Sequence, residues 1–285
     1  MLRLPFFLAR GFVASETLSG AIPKIRGLHD KGLLTTVDLL GEHVTRRDLA
    51  LLGRHEYIRL LQKLASETQL ERNISIKLSM IGQVIDEDFC YDNLCALLDE
   101  ARALNGFVRL DMEGSSVLDS SLRLFEAVLP EYRAHVGIVL QAYLKRTEED
   151  VKRMCRLGAR VRLCKGAYRE PSTIAWQQMP KIRTQFIRSM QILLRDGNYP
   201  AIATHDDALI ESTKAYALEN NVDASRFEFQ MLYGLRPKTQ VRIVRDGYNM
   251  RVYVPYGRMW LPYYARRLRE RPENVTFLLR NVLRS

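Results

Sequence analysis

Polar and charged side chains recur near the carboxyl ends of short β-rich segments in this sequence. Eight segments carry them, at Asp38, Lys77, Asp111, Gln141, Arg162 with Lys165, Thr204 with His205, Gln230, and Tyr253. An unpaired polar group costs about 1–3 kcal/mol to bury, so eight such positions would be unfavourable without a polar ligand. The pattern therefore predicts that these side chains line the rim of one binding site.

Cations dominate this candidate site. They are Lys77, Arg162, Lys165, Arg266 and Arg267. Paired arginines bind carboxylates through parallel hydrogen bonds, and the small residues at 166–167 would let backbone N–H groups approach a phosphate. We therefore expect an anionic ligand. A lysine at such a place can also form a Schiff base, so an aldolase that uses Lys77 or Lys165 is the alternative enzyme.

The segments that carry these residues alternate with longer stretches of helical periodicity. The β-rich segments are 33–38, 74–79, 107–112, 136–143, 159–164, 200–204, 226–230 and 250–255, and 91–104 and 182–194 are typical of amphipathic helices. Eight strands alternating with helices over about 250 residues predict a (β/α)₈ barrel. Such a barrel has its chemistry at the carboxyl ends of the strands and branched apolar residues inside. No G-x-G-x-x-G follows the first segment, which disfavours an open dinucleotide-binding sheet.

The domain organisation follows from the same pattern. The stretch before the first strand predicts one or two helices on the outside of the barrel, which gives an arm at about 1–30 and a barrel at about 31–285. A last helix near 263–271 is expected to stop before Pro272. Since no linker or internal repeat interrupts the chain, we expect a single domain.

Composition places the chain among globular proteins, with 47% hydrophobic and 27% charged residues. No run approaches the roughly 18 apolar residues of a membrane-spanning helix, and the apolar run at 4–9 is too short for a signal peptide. A cytoplasmic protein is therefore expected. The four cysteines have no zinc-ligand or disulfide-framework spacing, so no metal site is predicted.

The net charge of +10 is concentrated in the last fifty residues. From position 236 onward there are twelve lysines and arginines against three acidic residues. A nucleic-acid-binding module is one interpretation of this basic tail, but the tail has no repeated platform of interleaved exposed aromatic residues, which argues against it. We expect no nucleic-acid partner, and we regard peripheral contact with the inner face of a membrane as the remaining role of the charge.

Motifs in one consistent order make the sequence similar to the proline dehydrogenases. They are DLLGE (38–42), IKLS (76–79), RLDME (109–113), LQAYL (140–144), RLCKGAY (162–168), ATH (203–205), FEFQMLYG (227–234), and RVYVPYG with RRLRER (251–257, 266–271). The resemblance implies a distorted (β/α)₈ barrel that oxidises L-proline to Δ1-pyrroline-5-carboxylate, with FAD as cofactor and a quinone as electron acceptor. Bifunctional relatives carry a second dehydrogenase domain, for which 285 residues leave no room, so a monofunctional bacterial-type enzyme is expected.

The resemblance also implies roles for individual residues at the substrate. Asp111 and Arg162 match catalytic positions, with Asp111 orienting the site and Arg162 near the N5 edge of the flavin. The substrate-binding positions are Lys77, Arg266 and Arg267 for the proline carboxylate, Tyr253 and Leu163 around the pyrrolidine ring, and Glu42 as the partner of Arg266 in an ion-pair gate.

For the cofactor, the resemblance implies a second group of residues. The positions that match FAD contacts are Met112, Gln141, Arg162, Lys165, Gly166, Ala167, Thr204 and His205. The family often has asparagine directly after ATH, whereas this chain has Asp206. An added negative charge near phosphates predicts weaker cofactor binding, so Asp206→Asn is expected to tighten it.

Overall fold

A computed structural model of the chain describes residues 6, 9–41, 43–263 and 265. In this part of the chain, eight parallel strands follow one another around a closed barrel. They are β1 (Leu34–Leu39), β2 (Asn73–Ile76), β3 (Phe107–Leu110), β4 (Val136–Gln141), β5 (Arg160–Cys164), β6 (Ala201–Ala203), β7 (Glu228–Leu232) and β8 (Asn249–Tyr256). The barrel closes because β1 pairs with β8 from Leu34 opposite Arg251 to Leu39 opposite Tyr256. The predicted fold class is confirmed.

Helices separate the strands and surround the barrel. They are α1 (Leu18–His29), α2 (Arg47–Ala65), α3 (Glu87–Ala103), α4 (Ser115–Tyr132), α5 (Thr147–Arg156), α6 (Met179–Asp196), α7 (Asp207–Glu219) and α8 (Pro237–Arg245). The expected N-terminal arm contains α1, which contacts β1 and β8. Both helices predicted from periodicity are present as α3 and α6, each a few residues longer than predicted. The helix expected near 263–271 lies almost wholly outside the described residues.

The two faces of each strand differ in polarity. On β5, Val161 and Leu163 are fully buried in the apolar core, whereas the intervening Arg162 donates hydrogen bonds across the barrel interior. Side chains alternate between the faces of a strand, so branched residues fill the layer between barrel and helices. The expectation of an apolar barrel interior is therefore wrong for this chain.

Charged groups fill the amino-terminal end of the barrel interior. Arg251 is 4% exposed and donates from Nε to Glu228 Oε1 at 2.9 Å and from Nη1 to Glu71 Oε2 at 2.6 Å. Burial disfavours the guanidinium, but the two carboxylates outweigh it and raise the pKa of Arg251. Buried charges persist only when they are paired. Arg251 thus belongs to an internal ion-pair network, and it is not part of a basic surface as its place in the charged tail suggested.

Candidate active site

A cavity of about 1020 Å³ lies at the carboxyl ends of the strands. Its volume matches the upper end of the range for small-molecule sites, about 300–1,000 Å³. Most residues predicted from the sequence line it: Lys77, Asp111, Met112, Gln141, Arg162, Lys165, Gly166, Ala167, Thr204, His205, Gln230 and Tyr253. The barrel therefore brings the predicted rim residues together at one place.

Asp111, directly after β3, is the centre of the hydrogen-bond network in the deep part of this cavity. Its Oδ1 accepts from Arg162 Nη1 at 2.7 Å, and its Oδ2 accepts from the hydroxyl of Tyr253 at 2.7 Å. Burial and the neighbouring Asp111 carboxylate raise the pKa of Tyr253 well above its ordinary value. The phenol therefore stays protonated and donates. Asp111 in this way fixes two side chains that come from β5 and β8.

Lys77 follows β2 and forms an ion pair with a second carboxylate. Its Nζ lies 2.8 Å from Asp38 Oδ1 and 3.9 Å from Asp111 Oδ2. Burial disfavours the ammonium, but the Asp38 and Asp111 carboxylates outweigh it and raise the pKa of Lys77. The side chain is therefore a permanent cation. An amine must be neutral to form a Schiff base, so this arrangement disfavours the aldolase that would use Lys77.

Arg162 lines the cavity, and one of its three guanidinium nitrogens has no hydrogen-bond partner among the described residues. Its Nη2 donates to Ser75 Oγ at 2.9 Å, and its guanidinium carbon lies 5.3 Å from the ring centre of Tyr253. Its Nε is buried and has no hydrogen-bond partner among the described residues. Gln230 Oε1, on β7, is likewise buried and has no hydrogen-bond partner among the described residues. A buried polar atom without a partner is costly, so both atoms are candidates for contact with a bound ligand.

The backbone after β5 approaches an aromatic ring closely. Gly166 has a φ of +114°, and a Cβ at this position would lie 2.3 Å from a ring carbon of Tyr143. Only glycine meets both demands, because a side chain would clash and the left-handed region is unfavourable for other residues. Gly166 therefore lets the loop after β5 pack against the Tyr143 ring, and Gly166 and Ala167 line the cavity with small residues.

Two hydrogen bonds hold His205 in the cavity wall. Its Nε2 accepts from the backbone N–H of Leu232 at 2.9 Å, and its carbonyl accepts from Arg236 Nη1 at 2.6 Å. Because Nε2 is an acceptor, the ring of a neutral His205 carries its proton on Nδ1. Arg236 adopts the left-handed conformation, with a φ of 52°, to make its contact. The Arg236 side chain, which lies outside the sequence motifs, thus helps to fix this wall.

Asp206 follows β6 and pairs with two cations at the cavity wall. Its Oδ2 lies 2.5 Å from Lys165 Nζ and 2.7 Å from Arg183 Nε. Burial works against the ionised form, but the hydrogen bonds from Lys165 and Arg183 outweigh it and lower the pKa of Asp206 to about 2. Asp206 is therefore an ionised partner of two cations rather than an isolated negative charge near the ligand.

Gln141 and Leu163, both implied by the resemblance, differ in whether they reach the cavity. Gln141 lies at the end of β4, lines the cavity and donates from Nε2 to the carbonyl of Glu113 at 3.0 Å. Leu163 does not reach the cavity: it is fully buried and lies on the strand face that packs against the helices. Its neighbours Arg162 and Cys164 line the cavity instead, because successive side chains point to opposite faces. The apolar wall is provided by Leu232, at the end of β7.

Three implied residues, Glu42, Arg266 and Arg267, lie outside the described part of the chain. The structure adds others that the motifs missed. Strand alternation could have indicated Leu232, which lies two residues after Gln230 on the same face. Arg183 has no such signal, because a helical residue reaches a barrel mouth only through the packing of the whole helix.

No group of three histidine, cysteine or acidic side chains in the described ranges is placed to hold a metal ion. Within the same residues, no helix has both the length and the apolar character needed to cross a membrane.

Comparison with known proteins shows which family this chain resembles. The sequence model of the family described as proline dehydrogenase matches residues 21–280. Proline dehydrogenase 1 of Bacillus subtilis subsp. natto is 39% identical over 276 residues, which cover 97% of this chain and 91% of the relative. Proline dehydrogenase of Deinococcus radiodurans is 36% identical, with coverage of 97% and 90%.

A solved structure has the same fold as this chain. Proline utilization A (PutA) from Bdellovibrio bacteriovorus, in a form inactivated by N-propargylglycine, superposes with a TM-score of 0.85 and 27% identity. The match covers 92% of this chain but only 32% of that protein, so this chain spans about a third of its length. The chain belongs to the proline dehydrogenase family, whose members are oxidoreductases that act on CH–NH donors.

Proposed function

We propose that this chain oxidises L-proline to Δ1-pyrroline-5-carboxylate by hydride transfer to N5 of a bound FAD. The observation that carries the proposal is the cluster of Lys77, Asp111, Arg162 and Tyr253 at the deep end of a large cavity in a proline dehydrogenase barrel. Lys77 and Arg162 supply fixed positive charge, and their carboxylate partners hold them in place. Such a site suits a small anionic substrate.

The residues present fit a dinucleotide cofactor. The buried Nε of Arg162 and Oε1 of Gln230 lack partners among the described residues, and Gly166 and Ala167 line the cavity with small residues beside which a ligand can approach the main chain. Lys165 and Arg183 add two cations at the outer wall, which suits phosphate groups. We assign FAD contacts to Met112, Gln141, Arg162, Lys165, Gly166, Ala167, Thr204 and His205. When bound, FAD supplies the hydride acceptor that amino-acid side chains lack.

The protein's own residues then position the substrate. In this proposal Lys77 holds the proline carboxylate together with Arg266 and Arg267, and Glu42 pairs with Arg266 over the bound substrate. The carboxylate is the best handle on so small a molecule, because it fixes the carbon next to nitrogen at the correct distance for transfer. Tyr253 lines the pocket beside the pyrrolidine ring. Its own orientation is set by the hydrogen bond to Asp111.

Asp111 orients the catalytic groups in this mechanism. Because it accepts from both Arg162 and Tyr253, it keeps the Arg162 guanidinium at one orientation toward the cofactor ring. As the hydride leaves the ring carbon, the nitrogen lone pair forms the C=N bond, so the substrate nitrogen must be unprotonated at that moment. The iminium formed in this way then loses its N–H proton to water to give the pyrroline. Because Asp38 and Asp111 balance the charges of Lys77 and Arg162, it is removal of the substrate from water that disfavours its ammonium form and thereby favours the neutral amine.

The electrons must leave the enzyme after each turnover. We propose a quinone as their acceptor and a cytoplasmic enzyme with peripheral contact to the inner face of a membrane. Sedimentation with vesicles tests this contact: binding to vesicles with anionic lipid, and not to neutral vesicles, is expected. Equal partitioning into the supernatant with both would contradict membrane contact and leave the oxidation itself unaffected.

A visible spectrum of the purified protein tests the central proposal. The protein should show flavin absorption, and L-proline added without oxygen should bleach it, whereas an anaerobic sample without proline stays yellow. A folded protein that is colourless and takes up no added FAD would overturn the proposal. Covalent trapping by borohydride with a carbonyl substrate would support the aldolase instead.

A further inference from the structure

We propose that Asp206 is a positioning residue that holds Lys165 and Arg183 side by side as one clamp for the phosphates of the cofactor. The proposal rests on FAD as the cofactor of this chain. It assigns to Arg183 a role in phosphate binding, and it reverses the effect of Asp206 that the charge alone suggested.

The geometry of the three side chains supports this assignment. One oxygen, Asp206 Oδ2, accepts from Lys165 Nζ at 2.5 Å and from Arg183 Nε at 2.7 Å. All three residues line the cavity, yet they come from three separate elements: the loop after β5, helix α6, and the junction of β6 with α7. Two cations that share one acceptor atom must lie close together. Without the carboxylate between them they would repel each other.

Asp206 is itself held rigidly. Its Oδ1 accepts from the backbone N–H of Ala208 at 3.2 Å and so caps α7, and its own N–H donates to Thr204 Oγ1 at 3.1 Å. Its side chain is 8% exposed, whereas those of Lys165 and Arg183 are 24% and 45% exposed. The anchor is thus buried and the cations extend from it into the cavity. Each cation keeps further N–H groups that can bind an anion.

Two opposing effects decide whether a substitution of Asp206 weakens or strengthens FAD binding. Removal of the negative charge lessens its repulsion of a phosphate, which is a weak effect at a wall open to solvent. Removal also releases two long side chains that each lose considerable rotamer freedom when they are fixed again on the ligand. The site carries two positive charges and one negative, so it remains cationic with Asp206 present. We therefore expect positioning to dominate.

The test compares Asp206→Asn with a matched variant elsewhere. Asparagine caps helices as well as aspartate, so α7 should keep its cap while the ion pairs are lost. Asp86 is the control, because it caps α3 through Phe89 N at 2.8 Å and pairs with Arg47 at 3.1 Å, away from the cavity. FAD titration of the apoproteins, followed by flavin fluorescence, should give about tenfold weaker binding for Asp206→Asn and unchanged binding for Asp86→Asn.

A double-mutant cycle separates positioning from a general structural effect. If Asp206 acts through Arg183, then Asp206→Asn should cost much less affinity for FAD when Arg183 is already methionine. Tighter or unchanged binding in Asp206→Asn, or strictly additive losses in the cycle, would overturn the inference. A wild-type protein that binds no FAD would instead overturn the proposed function.

Discussion

The hydroxyl of Tyr253 donates a 2.7 Å hydrogen bond to Asp111 inside the cavity. Asp111 uses its other carboxylate oxygen for Arg162, so residues from three strands meet at a single side chain. Since the ring of Tyr253 also lies 5.3 Å from the guanidinium carbon of Arg162, each of the three contacts the other two. The pocket is therefore preorganised before any ligand arrives, which is what catalysis by positioning requires.

The first prediction concerns the Tyr253 hydroxyl. Tyr253→Phe keeps the ring against Arg162 but removes a hydrogen bond to a charged acceptor, worth about 1.5–3 kcal/mol. We expect kcat/KM for proline to fall by about 10- to 150-fold while FAD content stays normal. Steady-state kinetics with an artificial electron acceptor measures the change.

The control for this prediction is Tyr256→Phe on the same strand. The Tyr256 hydroxyl is buried and has no hydrogen-bond partner among the described residues, so its removal should leave both activity and stability unchanged or slightly improved. If Tyr253→Phe behaved like Tyr256→Phe, the hydrogen bond to Asp111 would have no part in catalysis.

The second prediction concerns the buried pair of Lys77 and Asp38. Lys77→Met leaves a fully buried carboxylate without its cation and should lower the free energy of unfolding by about 3–5 kcal/mol. The double variant Lys77→Met/Asp38→Asn should recover most of this loss, because no unpaired charge remains. Urea unfolding of the wild type, Lys77→Met, Asp38→Asn and the double variant measures the cycle.

Steady-state kinetics with proline separates the contribution of the Lys77–Asp38 pair to stability from its contribution to substrate binding. The double variant should fold like the wild type and yet bind proline poorly, because the cation for the carboxylate is gone. A double variant no more stable than Lys77→Met would show that the destabilisation has another cause, such as lost packing of the lysine side chain.

The third prediction concerns the close approach at Gly166. Gly166→Ala should reduce both melting temperature and FAD affinity, since its Cβ would lie 2.3 Å from the Tyr143 ring. Gly247→Ala is the matched control: its φ is +88°, but no atom of the described residues lies within 4 Å of the added Cβ. It should cost only the backbone strain of about 1–2 kcal/mol and leave FAD binding intact. Equal FAD affinities in the two variants would contradict a role for Gly166 in shaping the site.

The fourth prediction is a pH dependence of stability. The pKa of Asp206 is about 2 in the folded protein and about 3.9 in an unfolded chain. The ionised form is favoured by folding, so its contribution is full above about pH 4 and is lost as the pH falls toward 2. The difference in unfolding free energy between wild type and Asp206→Asn, measured by urea at pH 7, 5, 4 and 3, should therefore shrink at the acidic end. A difference that grows on acidification would show that Asp206 is not held ionised by Lys165 and Arg183.

Local features of the sequence determined the fold class and about half of the residues that line the cavity. Strand and helix signals depend on side chains a few residues apart, so the eight strands were predicted close to their observed positions. Polar residues at the strand ends converge automatically, because parallel strands in a barrel all finish at one face. This is why Lys77, Asp111, Gln141 and Tyr253 were found together in the cavity.

Only the tertiary structure decided which side chains pair. Asp111 contacts Arg162 and Tyr253 over 51 and 142 positions of sequence, and Asp206 contacts Arg183 on a helix that carries no site motif. Leu163 was assigned to the pocket although its strand face packs against the helices. Such details depend on which strand face points inward and on how each helix packs, and both are set by closure of the whole barrel rather than by neighbouring residues.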